Sequence, residues 1–140
     1  PVDGVKDARR VQETCGDFVA FIRSLPFVYE TEHYIFVHAG LDLTLPDWHE
    51  TTDYQKVWIR QPFHEATNQT GKTIVFGHTP VHYLLDQKIG TKELWVTKDG
   101  KIGMDGGAVY GGVLHGILFD ESGMKADVAL VNDGFAAIDD

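Results

Sequence analysis

The chain's 140 residues carry 12 Lys and Arg against 21 Asp and Glu, a net charge of -9, with 43% hydrophobic and 24% charged residues. That composition excludes a disordered tail, and no apolar run approaches the ~20 residues that span a bilayer. So acidic a surface is a poor partner for nucleic acid or an anionic membrane; the single cysteine, Cys15, excludes an internal disulfide and fits a reducing, cytoplasmic setting.

The chain opens on Pro1-Val2-Asp3-Gly4, without an initiator methionine or a basic-then-apolar leader, which fits a piece of a longer protein. Residues 7–25 are predicted helical: Val11, Cys15, Phe18, Ile22 and Leu25 recur at spacings of three and four, and Pro26 supplies the stop. Tyr34-Ile35-Phe36-Val37 is an unbroken apolar run, too short for a helix and suited to a strand covered on both faces. A turn-rich stretch, Asp42 to Thr52, leads into a short helix over Asp53–Arg60, with Thr51 or Thr52 as cap and Pro62 close behind. Asn68-Gln69-Thr70-Gly71 reads as a loop despite its glycosylation pattern.

Ile74-Val75-Phe76 repeats the apolar-run signature, and Leu94–Thr97 reads as a strand. Asp99-Gly100 is a two-residue hairpin signal, so Lys101 to Asp105 should return antiparallel. A Gly-rich patch precedes a strand over Val113–Phe119; Ser122-Gly123 then turns the chain into a last strand, Ala126–Val131, before a polar tail from Asn132.

Of seven histidines, His33, His49, His64 and His115 sit in polar loops or mid-strand, where surface or satisfied-core placement is the default. His38 and His78 differ. Each follows an apolar strand and has small neighbours, in Val37-His38-Ala39-Gly40 and Phe76-Gly77-His78-Thr79. Ligands of open α/β sheets collect outside the carboxyl ends of strands, and a neutral imidazole held there suits a transition metal. Two imidazoles do not complete a metal site, so further donors must come from elsewhere.

Three blocks in order carry a family likeness: Phe36-Val37-His38-Ala39-Gly40-Leu41, Val75-Phe76-Gly77-His78-Thr79-Pro80, and Ile102-Gly103-Met104-Asp105-Gly106-Gly107-Ala108-Val109-Tyr110-Gly111-Gly112. With Trp58-Ile59-Arg60 between the first two, the chain resembles the phosphoprotein phosphatase branch of the calcineurin-like metallophosphoesterases, bacterial type, from about Arg9 to Asp120. The resemblance implies a mixed α+β fold, a β-sandwich of mixed sheets flanked by helices. It implies a hydrolase of phosphoserine and phosphothreonine in proteins. Dinucleoside polyphosphate hydrolysis (diadenosine tetraphosphate) and a noncatalytic phosphatase-like interaction module are the alternatives.

By the same resemblance His38 and His78 ligate the second of two divalent cations (Mn, Fe or Zn), and Arg60 clasps the phosphoryl oxygens, for which a planar guanidinium is suited. Tyr110 lines the cleft as wall or hydrogen-bond donor, with core packing as the rival role, and Asp105 orders the loop beneath the metals, with a plain turn aspartate as the rival. The family's Asp-X-His, Asp-X-X-Asp-Arg and Asn-His-Glu blocks are absent; Gly16-Asp17 falls within the first helix and lacks their continuation. Residues 1–140 are therefore expected to be one unit, the C-terminal half of a catalytic domain. Alone it is expected to be inactive, and to associate with the missing N-terminal half or with its own copies.

Overall fold

The computed structural model describes residues 4–120 and 122–131; the polar tail from Asn132 lies outside the described residues. The elements are α1 (Gly4–Ser24), β1 (Val28–Glu30), β2 (Tyr34–Val37), α2 (Asp53–Trp58), α3 (Gln61–Glu65), β3 (Thr73–Phe76), α4 (Val81–Leu84), β4 (Trp95–Val96), β5 (Lys101–Gly103), β6 (Val113–Asp120) and β7 (Gly123–Val131). Single 3-10 turns add Trp48–Glu50 and Ala108–Tyr110.

The mixed α+β class holds. A five-stranded sheet runs β1-β2-β3-β5-β4, and β6 and β7 form a separate antiparallel ribbon. Strands β2, β3 and β5 are mutually parallel, with β1 and β4 antiparallel at the edges. Period-two alternation splits the sheet's side chains between two cores. One face sets Ile35, Val37, Ile74 and Phe76 against Ile59 and Phe63 of the helical crossover. The other sets Tyr34, Val75 and Ile102 against Ile117 and Phe119 of β6. The helical crossover, sheet and ribbon thus stack in three layers. The rings of Tyr34 and Phe119, 4.8 Å apart, join the two sheets.

Several boundaries follow their local chemistry. Thr52, not Thr51, caps α2: its hydroxyl accepts from Gln55 N–H while the Gln55 side chain accepts from Thr52 N–H. Thr51 is buried instead, donating to Trp48 O and accepting from Asp42 N–H. The expected helix over Asp53–Arg60 ends at Trp58, and Pro62 does not terminate helical structure; it sits in the first turn of α3, where its missing N–H costs nothing. The strand after Gly71 spans Thr73–Phe76, and the one around Trp95 is only two residues long. The Asp99-Gly100 hairpin forms with β4 and β5 antiparallel. Asn68 welds the neighbouring loop to it, its amide donating to Lys72 O, Asp99 O and Gly100 O.

The first helix departs most from expectation. It starts at Gly4 and carries a non-helical residue, Cys15 (φ -128°, ψ 27°), that breaks the apolar stripe into two phases. Beyond that break Phe18, Phe21 and Ile22 are 63%, 57% and 49% exposed, so the stripe is not a core face among the described residues. Strand β1 escaped the sequence reading because three residues carry no periodic signal. No helix among the described residues is long and apolar enough to cross a membrane.

Candidate active site

Parallel pairing places the carboxyl ends of β2, β3 and β5 along one edge of the sheet. His38 follows β2, His78 follows β3 and Asp105 follows β5. The strand tips are tied together: Gly77 N–H donates to His38 O at 2.9 Å, and Met104 N–H donates to Phe76 O at 2.9 Å. The His38 and His78 rings lie with centroids 5.1 Å apart.

His78 is the strained member. Its φ of +64° is left-handed, and Thr79 N–H donates back to Gly77 O at 2.6 Å, closing a three-residue turn around it. A non-glycine residue there costs about 1–3 kcal/mol, a cost that gathers at functional sites. Burial pushes the His78 imidazole below its usual pKa; Arg60 and His38 push the same way, against Asp105. That direction favours the neutral ring, and Arg60 Nε–H donates to its Nε2 at 3.3 Å. The Trp58 ring meets His78 edge-on, centroids 5.2 Å apart.

His38, His78, Arg60, Asp105 and Tyr110 line one cleft of about 500 Å³, with the aliphatic and aromatic side chains of Ile89, Val109 and Tyr83 on its rim. Tyr110 is 71% exposed, so core packing is not its role. Asp105 orders the loop around it: Oδ1 accepts from Gly107 N–H at 2.9 Å, and its carbonyl accepts from Val81 N–H at 2.7 Å. Gly112 is obligatory in that loop, since a Cβ would stand 2.0 Å from Gly106 O.

The other histidines divide. His49 is exposed and bonds Asp47; His115 is buried on β6 and bonds Asp127. His64 is not in a polar loop. It lies on α3, stacked on Phe76, and burial, with Lys101, Arg60 and His78 adding to it, lowers its pKa. His82, which no sequence signal marked, also lines the cleft, and its Nδ1 is buried without a hydrogen-bond partner.

The two imidazoles thus face one cleft at the strand tips. Among the described residues no group of three or more His, Cys, Asp or Glu is placed to hold a metal ion. Compared with family models, curated proteins and solved structures, the chain matches none.

Proposed function

We propose that the chain is the C-terminal half of a metal-dependent phosphoric ester hydrolase of the serine/threonine protein phosphatase type. One observation carries the reading: His38 and His78, at the tips of adjacent parallel strands, share a cleft with the guanidinium of Arg60. The donor chemistry fits a transition-metal cation, which His38 and His78 would hold together with donors from elsewhere. When bound, such a cation polarises a phosphoryl oxygen and lowers the pKa of coordinated water.

The chain's own residues supply the rest. Arg60 presents a planar pair of donors to the phosphoryl oxygens and neutralises their charge. Its Nε–H donates to His78 Nε2; were that nitrogen to ligate a cation, the Arg60 donor would be available to the substrate. Tyr110 lines the same cleft and is exposed there, available as its wall or as a hydrogen-bond donor. Of the residues lining the cleft, Arg60 is the one Arg or Lys. The lone thiol Cys15 supports a reducing, cytoplasmic setting.

The test uses the natural polypeptide that carries these residues, assayed with Mn²⁺ on a phosphoserine peptide and on diadenosine tetraphosphate. Turnover of the peptide should depend on the metal and fall more than about a hundredfold in His78→Ala. Failure to take up Mn²⁺ or Zn²⁺, or full activity in His78→Ala, rejects the enzyme reading and leaves the interaction module. Preference for the dinucleotide selects the alternative substrate class.

A further inference from the structure

Lys101 is the most unusual charged residue of the fold. It lies on β5, is only 2% exposed, and projects to the same side of the sheet as α3. A buried ammonium is destabilising by several kcal/mol unless its N–H groups are satisfied. Here they are. Nζ donates to Phe63 O at 3.3 Å, His64 O at 2.9 Å and Ala66 O at 2.6 Å, while Asp99 Oδ2 stands 3.7 Å away. The Phe63 and Trp95 ring centroids lie 5.6 and 5.7 Å from the ammonium.

Those three carbonyls end α3, a five-residue helix far too short to persist alone. At its other end, in the N-cap position and without a side-chain cap, is Arg60. Its carbonyl accepts from Phe63 N–H at 3.0 Å and His64 N–H at 3.1 Å, so two of the three residues that Lys101 holds are bonded to Arg60's backbone. Phe63 is the second anchor, fully buried and edge-on to Phe76 with centroids 4.9 Å apart. Two residues beyond the end of β5 lies Asp105, so the strand holding α3 also leads into the cleft that Arg60 serves.

We infer that Lys101 is a positioning residue for Arg60: by closing the carbonyl end of α3 it fixes the guanidinium where a phosphoryl group arrives. This rests on the phosphatase reading above. A purely structural lysine would stabilise the fold without setting phosphate affinity.

The experiment compares Lys101→Met, Lys101→Arg, Arg60→Ala and the Arg60→Ala/Lys101→Met double variant in the natural polypeptide. It reads KM and kcat for a phosphoserine peptide, competition by inorganic phosphate, and thermal unfolding. Lys101→Met should weaken phosphate binding and raise KM about tenfold, with Mn²⁺ uptake unchanged. Lys101→Arg, which keeps the donors, should recover most of that loss. Once Arg60 is gone, Lys101→Met should weaken phosphate binding no further, although its effect on unfolding persists. Should Lys101→Met fold poorly, Lys101→Gln, which keeps one donor group, takes its place in the same cycle. Losses that multiply in the double variant, or a folded Lys101 variant with unaltered phosphate affinity, overturn the inference. If Arg60→Ala itself leaves phosphate binding intact, it is the phosphatase reading that fails.

Discussion

The Arg60 guanidinium leans on His78, Nε–H to Nε2 at 3.3 Å, although the two residues reach the cleft from different elements. A cation beside an imidazole disfavours a second positive charge, and Arg60 is one of the causes that hold His78 below its ordinary pKa. In metal-free Arg60→Ala the His78 pKa should therefore rise, and not fully to its ordinary value, because burial and His38 still oppose protonation. NMR titration of the imidazole resonances checks this. An unchanged or lower value would mean that the two side chains do not meet in solution.

His78 carries backbone strain in addition to its ring. At φ +64° an alanine keeps the steric penalty, whereas glycine removes it and adds only the entropy of a freer unfolded chain. His78→Gly should accordingly be more stable than His78→Ala by about 1 kcal/mol, read from urea midpoints. Both variants lose the imidazole, so the comparison isolates the backbone. Equal stability would show that the left-handed turn relaxes once the ring is gone.

The sequence made His38 and His78 legible because two short apolar runs, each followed by small residues, mark adjacent strand tips whatever the rest of the chain does. Asp105 and Tyr110 were legible only through the resemblance of their Gly-rich block to the phosphatase motif. Arg60 could be named, but not the helix that carries it: Pro62 read as a terminator, and a proline in a first turn looks the same in sequence as one just past a last turn. Lys101 was invisible as a site residue because its three acceptors are backbone carbonyls 35 to 38 residues away, which no side-chain pattern encodes. The break at Cys15 is likewise a backbone event within a good helical periodicity. Residue spacing reports which face a side chain takes; it does not report what backbone that side chain will hold.

Asp42, in the turn after the first histidine block, should contribute to acid sensitivity. Its carboxylate accepts from the Thr44 hydroxyl at 2.6 Å, from Thr44 N–H at 3.1 Å and from Gln55 Nε2 at 2.7 Å. The Thr44 hydroxyl bond is the leading cause that lowers its pKa from 3.8, helped by Thr44 N–H and Gln55 and opposed by partial burial. A carboxylate depressed in the folded state contributes stability above its unfolded pKa, and loses it as pH falls from there through the folded value. Asp42→Asn should therefore lower stability at neutral pH and flatten its decline below about pH 4. Thermal unfolding of both proteins between pH 7 and pH 2.5 decides the point. Parallel curves would remove Asp42 from the acid response.

The β6–β7 ribbon has one covered face and one bare face. Register pairs Leu114 with Leu130 and Gly116 with Val128, and Leu114, Leu118, Val128 and Leu130 all project outward, more than half exposed. A contiguous apolar face on a nine-residue strand is what soluble monomers avoid, since both the side chains and the strand edge invite pairing. The 140-residue chain on its own should therefore self-associate. Sedimentation velocity should show species above 15.6 kDa, and the Leu118→Glu/Val128→Glu double variant should shift them toward the monomer. Each glutamate points away from the Tyr34–Phe119 contact, so the inner core is spared and circular dichroism should be unaltered. A wild-type chain that sediments as a monomer at micromolar concentration would show that this face tolerates water, and the expectation of a covering half or copy would lose its main physical support.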